Sequence, residues 1–166
     1  MLNEVLENTE RFMSSVPKAK RKKYGQFFTN ATTAKFMASL FCFDLSKKQV
    51  DILDAGAGTG ILAAAVVQKL LESGYGGAIH ITCYETDELV LPLLEENMIL
   101  CNKLHNVSYT IKRENYITSQ NFSGFTLFNN ENYQYDYIIG NPPYMKIAKD
   151  AAEALAIPEA VSYTHL

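Results

Sequence analysis

Cysteine and histidine are scarce, at three each in 166 residues. Cys42, Cys83 and Cys101 form no CxxC pair and lie in otherwise periodic apolar segments. That argues against a disulfide framework and predicts reduced, buried thiols. His80, His105 and His165 are scattered, with no HxxxH or HxE spacing, so no metal centre is expected. Long apolar runs are also missing. The longest near the middle, Ile61 to Val67, falls far below the roughly 20 residues of a membrane span, and the acidic N-terminus is unlike a signal peptide. With 48% hydrophobic residues the composition excludes disorder and collagen-like repeats. What is present is one ordinary domain, or a piece of one, expected to be cytoplasmic, soluble and without membrane partners.

Charge of one sign is sparse as well, since 15 Lys+Arg oppose 18 Asp+Glu for a net −3. The distribution is uneven. Lys18, Lys20, Arg21, Lys22 and Lys23 concentrate the basic residues and leave the remainder acidic. Such a run touches a polyanion at one place without a basic surface overall, or it is simply a solvated linker.

Leu2, Val5, Leu6, Phe12 and Met13 predict a short amphipathic N-terminal helix ended by Pro17 and the basic run. After the compact aromatic stretch Tyr24 to Thr29, Asn30 or Thr32 caps a second helix whose apolar face is Phe36, Met37, Leu40 and Phe41. Strand and helix then alternate. Val50 to Asp54, Ala78 to Tyr84, Val107 to Lys112 and Tyr135 to Ile139 read as strands. Gly60 to Glu72 and about Leu91 to Leu104 read as helices, with Pro92 in the first turn of the latter. The pattern predicts a parallel sheet in an open α/β fold, and Ser119 to Gln134 a polar surface excursion.

Asp54-Ala55-Gly56-Ala57-Gly58-Thr59-Gly60 follows the first strand and opens the next helix, where small residues let a ligand approach backbone amides. Glu85 ends the second strand, where a carboxylate takes both hydroxyls of a ribose. Together they indicate a nucleoside-containing cofactor. The Gly56, Gly58, Gly60 spacing departs from the dinucleotide fingerprint, and Asp54 would repel a pyrophosphate. A cationic cofactor such as S-adenosylmethionine fits better.

Asn141-Pro142-Pro143-Tyr144 follows the fourth strand. Two prolines stiffen this loop and remove donors, leaving the Asn141 side-chain oxygen and the Pro142 carbonyl as acceptors. Two acceptors on a planar –NH₂ group hold both its hydrogens and raise electron density on nitrogen, which can then attack a methyl group. Tyr144 offers a ring to a flat base, which must leave a duplex to arrive there. With strand order 3-2-1-4, the glycine loop and Asn141 face each other where the order reverses.

These residues resemble the S-adenosylmethionine-dependent adenine-N6 DNA methyltransferases of restriction-modification systems. Lys23-Tyr24-Gly25-Gln26-Phe27-Phe28-Thr29 is similar to their N-terminal motif, Asp54 to Gly60 to the cofactor glycine loop, Tyr84-Glu85-Thr86-Asp87 to the ribose motif and Asn141 to Tyr144 to the catalytic loop. The resemblance implies a Rossmann-like class I methyltransferase sheet with an N-terminal helical extension. It implies cofactor contacts from Gln26, Phe28, Thr29, Asp54, Gly56, Gly58, Gly60 and Glu85, with Glu114 or Asn115 at the cofactor adenine. Asn141, Pro142, Pro143 and Tyr144 would be catalytic. The reaction implied is direct in-line transfer from S-adenosylmethionine to the N6 of a flipped-out adenine in DNA. Cytosine N4, a protein glutamine amide or an RNA exocyclic amine are alternative acceptors, and a non-catalytic cofactor-binding subunit is the alternative outside enzymes.

The same resemblance calls for further strands and a DNA-recognition region or subunit, whereas the chain ends 22 residues after Tyr144. The expectation is therefore of a cofactor and catalytic half truncated after the fourth strand, with Tyr135 to Ile139 as an apolar edge. Residues 1–45 would be the helical extension and 46–160 the partial catalytic domain. Residues 161–166, Val-Ser-Tyr-Thr-His-Leu, resemble a translated sequencing adapter and are set apart as a non-native tail.

Overall fold

The computed structural model describes residues 1–18, 28–104, 106–119, 135–141 and 151–156. Among the described residues ten elements follow in order: α1 (Leu2–Ser15), α2 (Ala31–Ser39), β1 (Gln49–Asp54), α3 (Ile61–Glu72), β2 (Ala78–Tyr84), α4 (Leu91–Asn102), β3 (Val107–Lys112), α5 (Tyr116–Ser119), β4 (Tyr137–Ile139) and α6 (Ala152–Ala156). The sheet has the order β3-β2-β1-β4, parallel throughout. All carboxyl ends therefore lie along one edge, and the order reverses between β1 and β4. The open α/β fold and its predicted strand order hold.

Strand alternation decides the layers. Val50, Ile52, Ile79, Ile81, Cys83, Val107 and Ile139 point to one face and share a core with Leu2 and Val5 of α1, Ala34 and Ala38 of α2, and the buried residues of α3 and α4. α3 is apolar over most of its surface, from Ile61 to Val67 and at Leu70, because it lies inside this layer. Tyr84 turns to the other face, where Tyr116 of α5 meets it edge-on with centroids 5.0 Å apart.

Local signals explain the boundaries. Asn30 caps α2, its Oδ1 accepting from the Thr33 N–H at 2.9 Å. Pro92 sits at the start of α4, where its missing N–H is harmless. Three expectations are corrected. The predicted face of α2 holds in part: Met37 and Phe41 pack partly buried against the core, whereas Phe36 and Leu40 are 62% and 66% exposed and the fully buried positions are Ala34 and Ala38, whose small side chains let α2 approach α3 closely. Cys42 is exposed, unlike the buried Cys83 and Cys101, since it follows α2 in the irregular connector to β1. β4 begins at Tyr137 rather than Tyr135: the Asp136 N–H still donates to the Asp51 carbonyl at 2.8 Å, but the return bond from the Asp51 N–H goes to the Asp136 side chain, Oδ2 at 2.9 Å, and Lys47 pairs with its Oδ1. β4 is the outermost strand among the described residues and leaves Ile138 60% exposed. The excursion predicted over Ser119 to Gln134 falls outside the described residues beyond Ser119.

The connector 40–48 is fastened to β4 by aromatic contacts. Tyr137 meets Phe43 and Phe41 edge-on at 5.0 and 5.5 Å, and its hydroxyl oxygen accepts from the Asp44 N–H at 2.8 Å. In the turn between α3 and β2, a Cβ on Gly77 would lie 2.7 Å from the Lys48 carbonyl oxygen and against the Tyr75 phenol. Backbone yields little, so Gly77→Ala is expected to destabilise the fold by about 2 kcal/mol. Urea denaturation of the two proteins measures this, and equal midpoints would refute it. Among the described residues, no helix is long and apolar enough to cross a membrane, and no cluster of metal-binding side chains occurs.

Candidate cofactor and catalytic site

The loop after β1 is built for close approach. Gly56, Gly58 and Gly60 all take positive φ, at 142°, 54° and 80°. A side chain is strained in the left-handed region, and at Gly60 a Cβ would also lie 2.7 Å from Met98 Cε and 2.9 Å from Leu94 Cδ1 of α4. The loop folds on itself through the Gly60 N–H, which donates to the Ala57 carbonyl at 2.8 Å, and joins β2 through the Ala57 N–H, which donates to the Tyr84 carbonyl at 2.9 Å.

Glu85 lies directly beside it. Its Oε2 accepts from the Gly58 N–H at 2.8 Å, and its Oε1 accepts from the N–H groups of Thr86 and Asp87 at 2.7 and 2.8 Å. The structure thus unites the two predicted cofactor motifs through one carboxylate. Phe28 flanks the loop, since a Cβ on Gly58 would lie 3.7 Å from its ring, and it is braced edge-on by Phe12 of α1 with centroids 6.1 Å apart.

Asp54 differs from the simple expectation of an acid lining the crevice. It is fully buried, and its Oδ2 accepts from the Ala63 N–H in the first turn of α3 at 3.2 Å. Because Gly60 at the N-cap has no side chain, Asp54 serves that helix end from the neighbouring strand. Its Oδ1 has no hydrogen-bond partner among the described residues. Burial pushes the carboxyl up to about 7; the Ala63 N–H opposes this and the Glu85 charge adds to it. An orphaned buried acid, a second carboxylate nearby and a cradle without side chains fit a cationic nucleoside ligand.

Across the switch point, Asn141 follows β4, and its Nδ2 donates to the Thr29 hydroxyl at 3.1 Å. Thr29 thereby reaches from the N-terminal segment to the predicted catalytic loop. Asn115 follows β3 at the same sheet edge. Its Oδ1 accepts from the Ile117 N–H at 2.9 Å, and its Nδ2 donates to Glu153 at 3.0 Å, so it caps α5 and ties it to α6. Glu114 is exposed. Gln26, Pro142, Pro143 and Tyr144 lie outside the described residues. An open cleft of about 420 Å³ runs between α1 and residues 28–31, lined by Thr9, Glu10, Met13, Phe28, Thr29 and Ile61 among others.

Neither buried thiol is poised as a nucleophile. Burial pushes Cys101 up to about 12 and Cys83 well above its ordinary value. Sequence reasoning missed Asn8, Thr9 and Asn97, which brace the glycine loop from behind. The available signal was a polar residue inside an apolar helical stripe: Thr9 continues Leu2 and Val5, and Asn97 stands among Leu94, Met98 and Cys101.

A parallel sheet of this order, with the glycine loop and the Asn141 loop at its switch point, defines a Rossmann-like fold of the class I methyltransferase type. A structure from Listeria monocytogenes described as a class I S-adenosylmethionine-dependent methyltransferase shares that fold, with a TM-score of 0.54 and 18% identity over 86% of this chain and 39% of its own. The chain belongs to the N-6 DNA Methylase family, whose model matches residues 5–155. It is 33% identical to the type II methyltransferase M.PstI of Providencia stuartii over 84% of this chain. It is 34% identical to the release factor glutamine methyltransferase of Fusobacterium nucleatum subsp. nucleatum over 74% of this chain. The chain spans 28% and 29% of the lengths of these two relatives.

Proposed function

We propose that this chain carries the cofactor-binding and catalytic half of a cytoplasmic restriction-modification methyltransferase that methylates the N6 amine of adenine in DNA. The Thr29–Asn141 hydrogen bond carries the reading, because it joins the N-terminal cofactor motif to the loop expected to grip the target amine. S-adenosylmethionine, when bound, supplies a methyl group activated by its sulfonium. Residues 1–45 act as the helical extension and 46–160 as the catalytic domain, with a DNA-recognition region or subunit as partner.

The chain's own residues do the rest. Glu85 would receive the ribose hydroxyls, Asp54 would add negative charge to offset the cofactor's cationic groups, and Gly56, Gly58 and Gly60 would keep the backbone approachable. Gln26, Phe28 and Thr29 would hold the methionine end, and Asn115 the adenine. Asn141 Oδ1 and the Pro142 carbonyl accept from the target –NH₂, holding it in plane and raising its nucleophilicity. Pro143 stiffens the loop and Tyr144 stacks on the flipped base.

The relationship to a glutamine methyltransferase supports a second reading in which the gripped group is a side-chain amide. Incubating the protein with labelled S-adenosylmethionine and DNA, then digesting and analysing nucleosides by mass spectrometry, separates the two. N6-methyladenine is the expected product. N4-methylcytosine would change the base, label in a glutamine-containing protein or in RNA would change the substrate class, and cofactor binding without transfer would favour a non-catalytic subunit.

A further inference from the structure

The bracing behind the glycine loop has no part in the chemistry above, yet it acts on the loop's central residue. Thr59 stands between Gly58 and Gly60, and both of its outward polar groups are held by other helices. Its carbonyl accepts from Asn97 Nδ2 of α4 at 2.8 Å, and its hydroxyl lies 3.0 Å from the Thr9 hydroxyl of α1. Thr9 is also 2.9 Å from the Val5 carbonyl. Each hydroxyl has one proton, so the arrangement that satisfies all three groups has Thr59 donating to Thr9 and Thr9 donating to Val5. Asn97 Oδ1 accepts in turn from Asn8 Nδ2 of α1 at 3.1 Å.

Thr9, Thr59 and Asn97 are only 4%, 2% and 0% exposed, so water does not replace a lost partner. The consequence lies in the loop. The Thr59 carbonyl that Asn97 holds shares its peptide with the Gly60 N–H, which closes the turn on Ala57, and that turn in turn carries Gly58, whose N–H meets Glu85. A loop of three glycines has little conformational preference of its own, so its ligand-ready shape must be imposed from outside. Asn97 imposes it from α4 and Thr9 from α1.

We infer that Thr9 and Asn97 are positioning residues for cofactor binding, and that α1 governs the affinity of the glycine loop for its nucleoside ligand through the Thr59 hydroxyl. This rests on the cofactor reading above. Glue between helices would be a different matter, affecting stability alone, and two substitutions at Thr9 separate them. Thr9→Val keeps the shape and removes the hydroxyl, whereas Thr9→Ser keeps the hydroxyl and removes a buried methyl.

Isothermal titration of the full chain with S-adenosylmethionine, beside thermal melts, is the test. Thr9→Val is expected to weaken binding about fivefold, whereas Thr9→Ser lowers Tm yet stays within about twofold of the wild-type affinity. Wild-type affinity in Thr9→Val, or an equal loss in Thr9→Ser, would overturn the inference and leave the cofactor reading intact. A wild-type chain that does not bind the cofactor overturns both. Should Thr9→Val fail to fold, the half-buried Asn8→Ala removes the partner that orients Asn97 and is expected to weaken binding about fourfold; affinity within about twofold of wild type there overturns the inference equally.

Discussion

Asn141→Ala is expected to reduce methyl transfer by about 10²- to 10³-fold, the usual loss when a hydrogen-bonding group aimed at the reacting centre is removed. S-adenosylmethionine affinity should fall far less, because Asn141 acts on the proposed cofactor residues indirectly, through the Thr29 hydroxyl. Nitrogen in an aromatic amine is a poor nucleophile, and alanine removes the acceptor that holds its hydrogens in plane. Asn141→Asp tests the same argument from the other side. A carboxylate still accepts, and the Thr29 hydroxyl, which accepts from Asn141 Nδ2 at 3.1 Å, can turn to donate to it. Partial activity is therefore expected in Asn141→Asp. Single-turnover rates and cofactor titrations measure both, and wild-type turnover in Asn141→Ala would remove the residue from the chemistry.

Most of the sheet was legible because a parallel α/β fold has few ways to hide. β2 and β3 are bounded as their apolar alternation predicts, since each is flanked by a helix whose start or stop is marked by glycine, proline or a polar cap. The switch point followed from the motifs. The glycine loop and Asn141 only meet if β4 joins the sheet beside β1, and it does. Failures arose where side-chain size or partnership overrode periodicity. On α2 the large apolar residues drew the predicted face to Phe36, Met37, Leu40 and Phe41, of which Met37 and Phe41 pack on the core, whereas close packing on α3 buries Ala34 and Ala38 and leaves Phe36 and Leu40 outside. Thr9 and Asn97 were not singled out: a polar residue in an apolar helical stripe signals burial, but nothing local names the partner, a loop residue 50 and 38 positions away. Asp54 was read as an acid close to its ligand, and its second role was not legible: its place at the end of a central strand buries it against the first turn of α3, a role that the absence of a side chain at Gly60 creates.

That burial makes the protein pH-sensitive in a defined direction. Asp54 ionises at about 7 in the fold, against 3.8 ordinarily, so between these values the native carboxyl keeps a proton that the unfolded chain has lost. Its contribution to stability is fully present below the lower value, falls as pH rises, and is gone above about 7. The shift corresponds to a loss on the order of 4 kcal/mol. Asp54→Asn cannot ionise and retains an acceptor for the Ala63 N–H. Its stability relative to wild type is therefore expected to rise steadily from about pH 4 to about pH 8 in urea denaturation. Cofactor binding should respond in the opposite sense. A cation beside the carboxylate favours the ionised form, so binding releases a proton near neutrality, and wild-type affinity increases from about pH 6 to about pH 8. Asp54→Asn should flatten that rise and bind more weakly at its upper end, which makes the variant more stable and less able to hold its ligand under the same conditions. Parallel affinity profiles for the two proteins would show that Asp54 acts on the helix alone, and parallel stability profiles would show that its carboxyl does not ionise within the fold.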